Sequence, residues 1–127
     1  ARAERYGQAA AVLLLALEDD PAATAAQALA DQAVLKRLVG CLRKSDTVVM
    51  LDRGLFGVIL EDIATPEGSL KVVKKIETAL KEPISLQGGR YLPRAHMGVS
   101  VYPQDGTEAG VLVECAEADL RARRDLE

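Results

Sequence analysis

Arg43 and Asp46 stand three residues apart and set a planar fork of donors beside a carboxylate acceptor, a pair able to grip a ligand edge that carries both acceptors and donors. The bland alternative is a structural pair. A cation in the last turn of a helix opposes its dipole, and an aspartate just beyond accepts local hydrogen bonds. Lys71, Lys74 and Lys75 read as a solvated helix face first and a phosphate patch second. Arg53 falls at a predicted hairpin tip, where an arginine is ordinarily solvated. His96 lacks a second ligand candidate nearby and reads as a strand histidine rather than a metal ligand. Gly88-Gly89 is a turn, because a phosphate-cradling loop needs a helix directly after it. Cys41 and Cys115 are the only cysteines; lacking a metal-ligand spacing, they read as reduced core thiols, with a single disulfide as the alternative.

These residues must be carried by elements that the apolar pattern marks out. Ala9 to Glu18 is a continuous apolar run, the pattern of a central strand buried on both faces. After Asp19-Asp20-Pro21, an Ala-rich stretch reaches Leu42 as an amphipathic helix, with Leu35, Leu38, Val39 and Leu42 on its apolar stripe. Asp46–Leu51 and Leu55–Leu60 are two short strands joined through Asp52-Arg53-Gly54, with Gly54 taking the positive φ. Thr65-Pro66 caps and opens a second helix whose stripe is Leu70, Val73, Ile76 and Leu80. A small hairpin, Ile84–Leu86 with Tyr91–Leu92, precedes a strand from His96 to Tyr102. Pro103-Gln104-Asp105-Gly106 turns the chain into a closing helix, Val111 to Leu126, with Thr107 as its expected cap.

The order contains the β-α-β-β-α-β arrangement of an α+β, ferredoxin-like or palm-type sandwich. A central antiparallel sheet is flanked by helices, with a small hairpin and a C-terminal helix added. At 127 residues this is a single domain. Its first residues, Ala1 to Gly7, look like the end of a connecting helix, and the chain is expected to be a fragment of a larger protein. A formal net charge of -3 gives no long-range attraction to nucleic acid or anionic lipid. The longest apolar run, Ala9 to Leu17, is too short to span a bilayer. A cytoplasmic location is expected, the domain itself not entering the membrane.

Several segments together resemble the GGDEF domain, the fold of diguanylate cyclases. Leu42-Arg43-Lys44-Ser45-Asp46 is similar to the family's L-R-x-x-D, and Leu51-Asp52-Arg53-Gly54-Leu55-Phe56 stands where the family writes L-G-G-D-E-F. Met97 to Gly106 resembles S-I-G-V-S-x-Y-P-x-D-G, and Ala116-Glu117-Ala118-Asp119-Leu120 resembles A-D-x-A-L. The resemblance implies metal-assisted phosphoryl transfer, with glycines letting the backbone approach the nucleotide and an acidic pair serving metal and nucleophile. Here Asp52 and Arg53 replace the glycines, and Gly54 and Leu55 replace the acids. At the end of the first strand the counterpart of a metal-binding aspartate is Ala16 or, with the alignment shifted by up to two residues, a position from which Glu18 or Asp19 approaches the site, and Ala22 to Ala28 offers no guanine-reading asparagine or aspartate. The expectation is therefore a degenerate domain with no catalytic residue, no metal and no cofactor.

The resemblance also places Arg43 and Asp46 at the family's inhibitory site, with Lys75 near its second cation. An arginine fork suits the O6/N7 edge of guanine, and a carboxylate suits its N1 and N2 donors. The leading expectation is a non-catalytic cyclic di-GMP receptor using Arg43, Asp46 and Lys75, joined to other domains of its chain or to a signalling partner. A second is an interaction or dimerisation module, a homodimer included, that binds no nucleotide. A third keeps weak GTP binding or cyclase activity through Glu18 or Asp19 in trans with a partner.

Overall fold

The computed structural model describes residues 9–18, 27–86 and 89–126. The elements run β1 (Ala9–Leu17), α1 (Gln27–Cys41), β2 (Thr47–Asp52), β3 (Leu55–Ile63), α2 (Gly68–Leu80), β4 (Ile84–Leu86), β5 (Gly89–Tyr91), β6 (Ala95–Tyr102) and α3 (Ala109–Leu126). Four strands form an antiparallel sheet ordered β2-β3-β1-β6, and β4 with β5 makes the small hairpin. The expected α+β sandwich is the one observed. The connecting helix expected at 1–7, Asp19, the Ala22–Ala26 loop and the turn residues Gln87 and Gly88 lie outside the described residues.

β1 is central for the reason its sequence suggested. It pairs on both edges and is covered on both faces, so its side chains from Leu13 to Leu17 are all buried. On one face Ala11, Leu13 and Leu15 meet Val34 and Leu38 of α1, Val73 and Ile76 of α2, and Phe56, Val58 and Leu60 of β3. On the other, Leu14 and Ala16 meet Ala116 and Leu120 of α3. α3 lies across β6 and β1. On that outer face Val49, Leu51 and Ile59 remain exposed at the β2–β3 half of the sheet.

Glycine allows α3 to lie so close. A Cβ at Gly98 of β6 would come within 2.2 Å of the Ala116 carbonyl and 2.5 Å of the Leu120 nitrogen. Ser100 adds a buried hydroxyl that donates to the Leu112 carbonyl at 2.6 Å. Arg37 of α1 ties the two helices of the other face. Its guanidinium donates to the Ala79 carbonyl at 2.9 Å, to Pro83 at 2.8 Å and to Glu82, capping the C-terminal end of α2.

Four local expectations need correction. Val39 and Leu70, placed on apolar stripes, are both more than half exposed. The buried face of α1 centres on Val34 and Leu38, and that of α2 substitutes Ser69, whose hydroxyl is satisfied by the Pro66 carbonyl at 2.8 Å. Thr65 is not the cap of α2: its carbonyl accepts from Gly68 in a turn, and Glu67 takes the cap position without a side-chain bond. α3 starts at Ala109, two residues before Val111, with the Glu108 carbonyl accepting from Leu112. Cys41 and Cys115 are unbridged thiols and only partly buried, rather than core residues. Burial pushes the Cys41 thiol up, against the lowering charge of Lys75.

Candidate functional site

Two regions hold the residues singled out by sequence. The first is the corner after α1. Arg43 lies just past the end of that helix, and the chain turns back so that the Asp46 amide donates to the Arg43 carbonyl at 3.0 Å. The side chains close on each other within this turn. Arg43 Nε and Nη2 donate to the two Asp46 carboxylate oxygens at 3.2 and 2.9 Å, the parallel fork geometry of an arginine–carboxylate pair. The Arg43 backbone N–H adds a third bond to Asp46 Oδ2 at 2.9 Å.

Nη2 also donates to the Glu61 carbonyl at 2.7 Å. That carbonyl belongs to a β-bulge, where β3 carries an extra residue against β1 and Asp62 takes a φ of 52°. The Asp46 side chain is 2% exposed and that of Arg43 is 55% exposed. Burial pushes the Asp46 carboxyl up. The Arg43 side chain, backbone N–H and charge, with a Glu61 backbone bond, outweigh burial and hold it below the usual carboxylate range. Arg43 is held above its ordinary value by the Asp46 bond, working against burial, with the charges of Asp46 and Asp62 adding to it.

A shallow cavity of about 360 Å³ opens beside the pair, lined by Val39, Leu42, Lys44 and Val48 as well as Arg43 and Asp46. Lys75 is not among its walls. It sits on α2 opposite Cys41, whose Sγ is 3.9 Å from the Lys75 carbonyl. The fold thus brings two of the three expected binding residues together and leaves the third on a neighbouring helix.

The second region is a cleft of about 530 Å³ between the β2–β3 hairpin and α3. Its floor is Leu14, Ala16 and Leu55, its rim Asp52, Arg53, Glu117, Arg121 and Arg124. Arg53-Gly54 forms a two-residue turn with Gly54 at φ 68°, as the sequence required. Both polar backbone groups of Gly54 are used within the protein. Its N–H donates to Asp31 Oδ2 at 3.1 Å, and its carbonyl accepts from Leu17 at 2.7 Å. Asp52 Oδ1 takes the Arg53 N–H at 2.8 Å. Leu55 is partly buried against the cluster of Leu14, Ala16, Ala116 and Leu120.

Asp31 is the residue that sequence reasoning missed. It is 1% exposed on α1 and anchors the hairpin tip from below. Its signal was available: an acid at 31, followed by Val34 and Leu38, sits on the apolar stripe itself, and a carboxylate there must be partnered. Glu18, at the end of β1, gives its Oε1 to a contact with His96 Nε2 at 3.1 Å. Phe56, next to the tip, points into the core and is fully buried.

A sequence model of the family described as Diguanylate cyclase, GGDEF domain matches residues 24–125. The chain belongs to the GGDEF family. Solved GGDEF structures share its fold. The GGDEF domain of TpbB (YfiN) from Pseudomonas aeruginosa superposes with a TM-score of 0.89 at 21% identity, covering 99% of this chain and 77% of that one. A sensory box/GGDEF family protein from Caulobacter crescentus gives 0.85 at 23% identity, over 99% of this chain and 85% of that one. Diguanylate cyclase SiaD from Pseudomonas aeruginosa, solved with its activator SiaC, gives 0.76 at 16% identity, over 98% of this chain and 50% of that one. No curated protein matches the sequence.

Hard divalent cations need converging oxygen ligands; at the hairpin positions where the GGDEF motif has its acids this cleft presents Gly54 and Leu55, and the carboxylates that line it, Asp52 and Glu117, stand apart on the hairpin and on α3. Among the described residues there is no group of three or more His, Cys, Asp or Glu side chains arranged to hold a metal ion, and no helix is long and apolar enough to cross a membrane.

Proposed function

We propose that this GGDEF domain does not perform the cyclase reaction and serves in signalling as a non-catalytic interaction module. Leu55 carries the reading. Where the GGDEF motif places an acid, this chain has a hydrocarbon side chain packed on Leu14, Ala16 and Leu120, so the position contributes to the core and has no oxygen to offer a metal or a nucleophile. Gly54, at the other acidic position, spends its backbone N–H on Asp31 and its carbonyl on Leu17. Incubation with GTP and Mg²⁺ followed by product analysis tests the reading, which expects GTP to be recovered unchanged.

A cyclic di-GMP receptor is the second reading. It is favoured by Arg43, whose side chain is 55% exposed at a cavity of about 360 Å³. Against it stands the closed fork. Nε and Nη2 are committed to Asp46, and Asp46 is buried, so reading a guanine edge with both groups requires the pair to open first. Calorimetric titration with cyclic di-GMP separates the two. The interaction module predicts no saturable heat; the receptor predicts saturable binding that Arg43→Ala abolishes.

A further inference from the structure

The cleft over Leu55 is apolar in its walls as well as its floor. β2 is bulged between Met50 and Asp52, and a bulge re-aims the side chain it carries. Leu51 there leans over Gly57 of β3, where an added Cβ would meet its Cδ1 at 3.2 Å. Leu51 on the hairpin and Val113 on α3, one on each wall, are 56% and 39% exposed. At about 530 Å³ the cleft has the size of a small-molecule site, and such sites are mostly apolar with a few polar groups that fix the ligand.

The cations at its rim are uncommitted. Arg37 caps α2, Arg43 is paired with Asp46, and Arg123 with Asp119. By contrast, the guanidiniums of Arg53, Arg121 and Arg124 have no ion-pair or hydrogen-bond partner among the described residues. Arg121 and Arg124 stand three apart on α3, a spacing that puts both on one face, and Arg53 faces them from the hairpin tip. Asp52 and Glu117 share the rim, so three guanidiniums against two carboxylates leave a single net positive charge.

We propose that this cleft binds a small monocarboxylate with a hydrocarbon body, the hydrocarbon lying on Leu14, Leu51 and Leu55 and the carboxylate held by the arginine rim. Burial of the hydrocarbon supplies the larger part of the affinity, and a guanidinium fork matches the two oxygens of a carboxylate. One negative charge suits the rim. A phosphate monoester carries close to two at neutral pH, and a triphosphate more, which would set excess anion beside Asp52 and Glu117. Both backbone polar groups of Gly54 are already used within the protein, so the tip offers little to a nucleobase. The site therefore takes a ligand of a different class from a nucleotide, and it lies apart from the Arg43 corner.

An NMR titration of the chain with octanoate, following the methyl signals of Leu51, Leu55 and Val113 without divalent cation, tests this. Octan-1-ol serves as the uncharged probe with the same hydrocarbon, and octyl phosphate as the more highly charged one. Octanoate is expected to bind saturably, roughly tenfold tighter than octan-1-ol, and to weaken as salt is added. Octyl phosphate is expected to bind no tighter than octanoate. Arg121→Gln and Arg124→Gln change exposed helix positions, and their folding is checked by circular dichroism. Combined, they are expected to remove the preference for octanoate over octan-1-ol, whereas Arg90→Gln, outside the cleft, leaves it intact. No saturable shift with octanoate, equal affinity for octan-1-ol, tighter binding of octyl phosphate, or a preference that survives the double substitution would each overturn the assignment. None of these outcomes touches the cyclase question, which GTP turnover answers separately.

Discussion

The hairpin cleft and the Arg43 corner stand in opposite relations to the GGDEF motif. In the cleft the residue types have changed: Ala16 and Leu55 put hydrocarbon where the motif has oxygen, and the gap is filled by packing against α3. In the corner the residue types match the motif, yet Arg43 and Asp46 are spent on each other and on the Glu61 carbonyl. One region differs from the motif in its residue types, the other keeps the types and pairs them with each other. Matching a motif shows that the groups are present, and only geometry shows whether they are available.

The largest effect expected is from the glycine that seats α3 over the cleft. Gly98→Ala drives a methyl into the backbone of α3 at Ala116 and Leu120, and should cost about 3 kcal/mol in urea denaturation. A near-neutral result would mean that α3 lies farther from β6. Next, Leu55→Asp restores an acid to the hairpin and is expected to cost about 2 kcal/mol, because the carboxylate enters an apolar cluster. If it instead leaves stability intact, the floor of the cleft is wet and the contrast between the regions weakens.

Asp46→Ala breaks a fork and a backbone bond, leaving a mostly exposed arginine that water can satisfy. About 1.5 kcal/mol is expected. The smallest effect is its pH dependence. The folded-state pKa of Asp46 lies below its unfolded value, so the stabilisation is present above the unfolded pKa and is lost as pH falls through the folded one. The stability difference between wild type and Asp46→Ala should therefore shrink in acid, once pH has fallen through the folded-state pKa. A difference that persists there would show that the pair does not owe its strength to the ionised carboxylate.

The fold was largely legible because its signals are local. The unbroken apolar run of β1 demands burial on both faces, and Gly54 supplies the positive φ that a two-residue hairpin needs. Helix stripes were less legible, since Val39 and Leu70 are apolar yet sit one position round from the packed face. Composition alone does not fix rotation about the axis. The site was legible as residues and opaque as geometry. That Arg43 and Asp46 lie three apart suited both a ligand and each other, and the bulge that turns the Glu61 carbonyl toward Arg43 has no sequence signature. Asp105 and Asp119, quoted above as parts of family motifs, serve here to cap the β6 edge, which only the strand order reveals.

The most direct test is GTP turnover by the intact chain with excess Mg²⁺, followed by chromatographic separation of nucleotide products over long incubation. The account predicts unchanged GTP, both alone and with added Glu18→Ala protein as a control for sharing in trans. Formation of cyclic di-GMP above the uncatalysed background would contradict it, because Leu55 and Ala16 would then line a cleft that still runs the reaction.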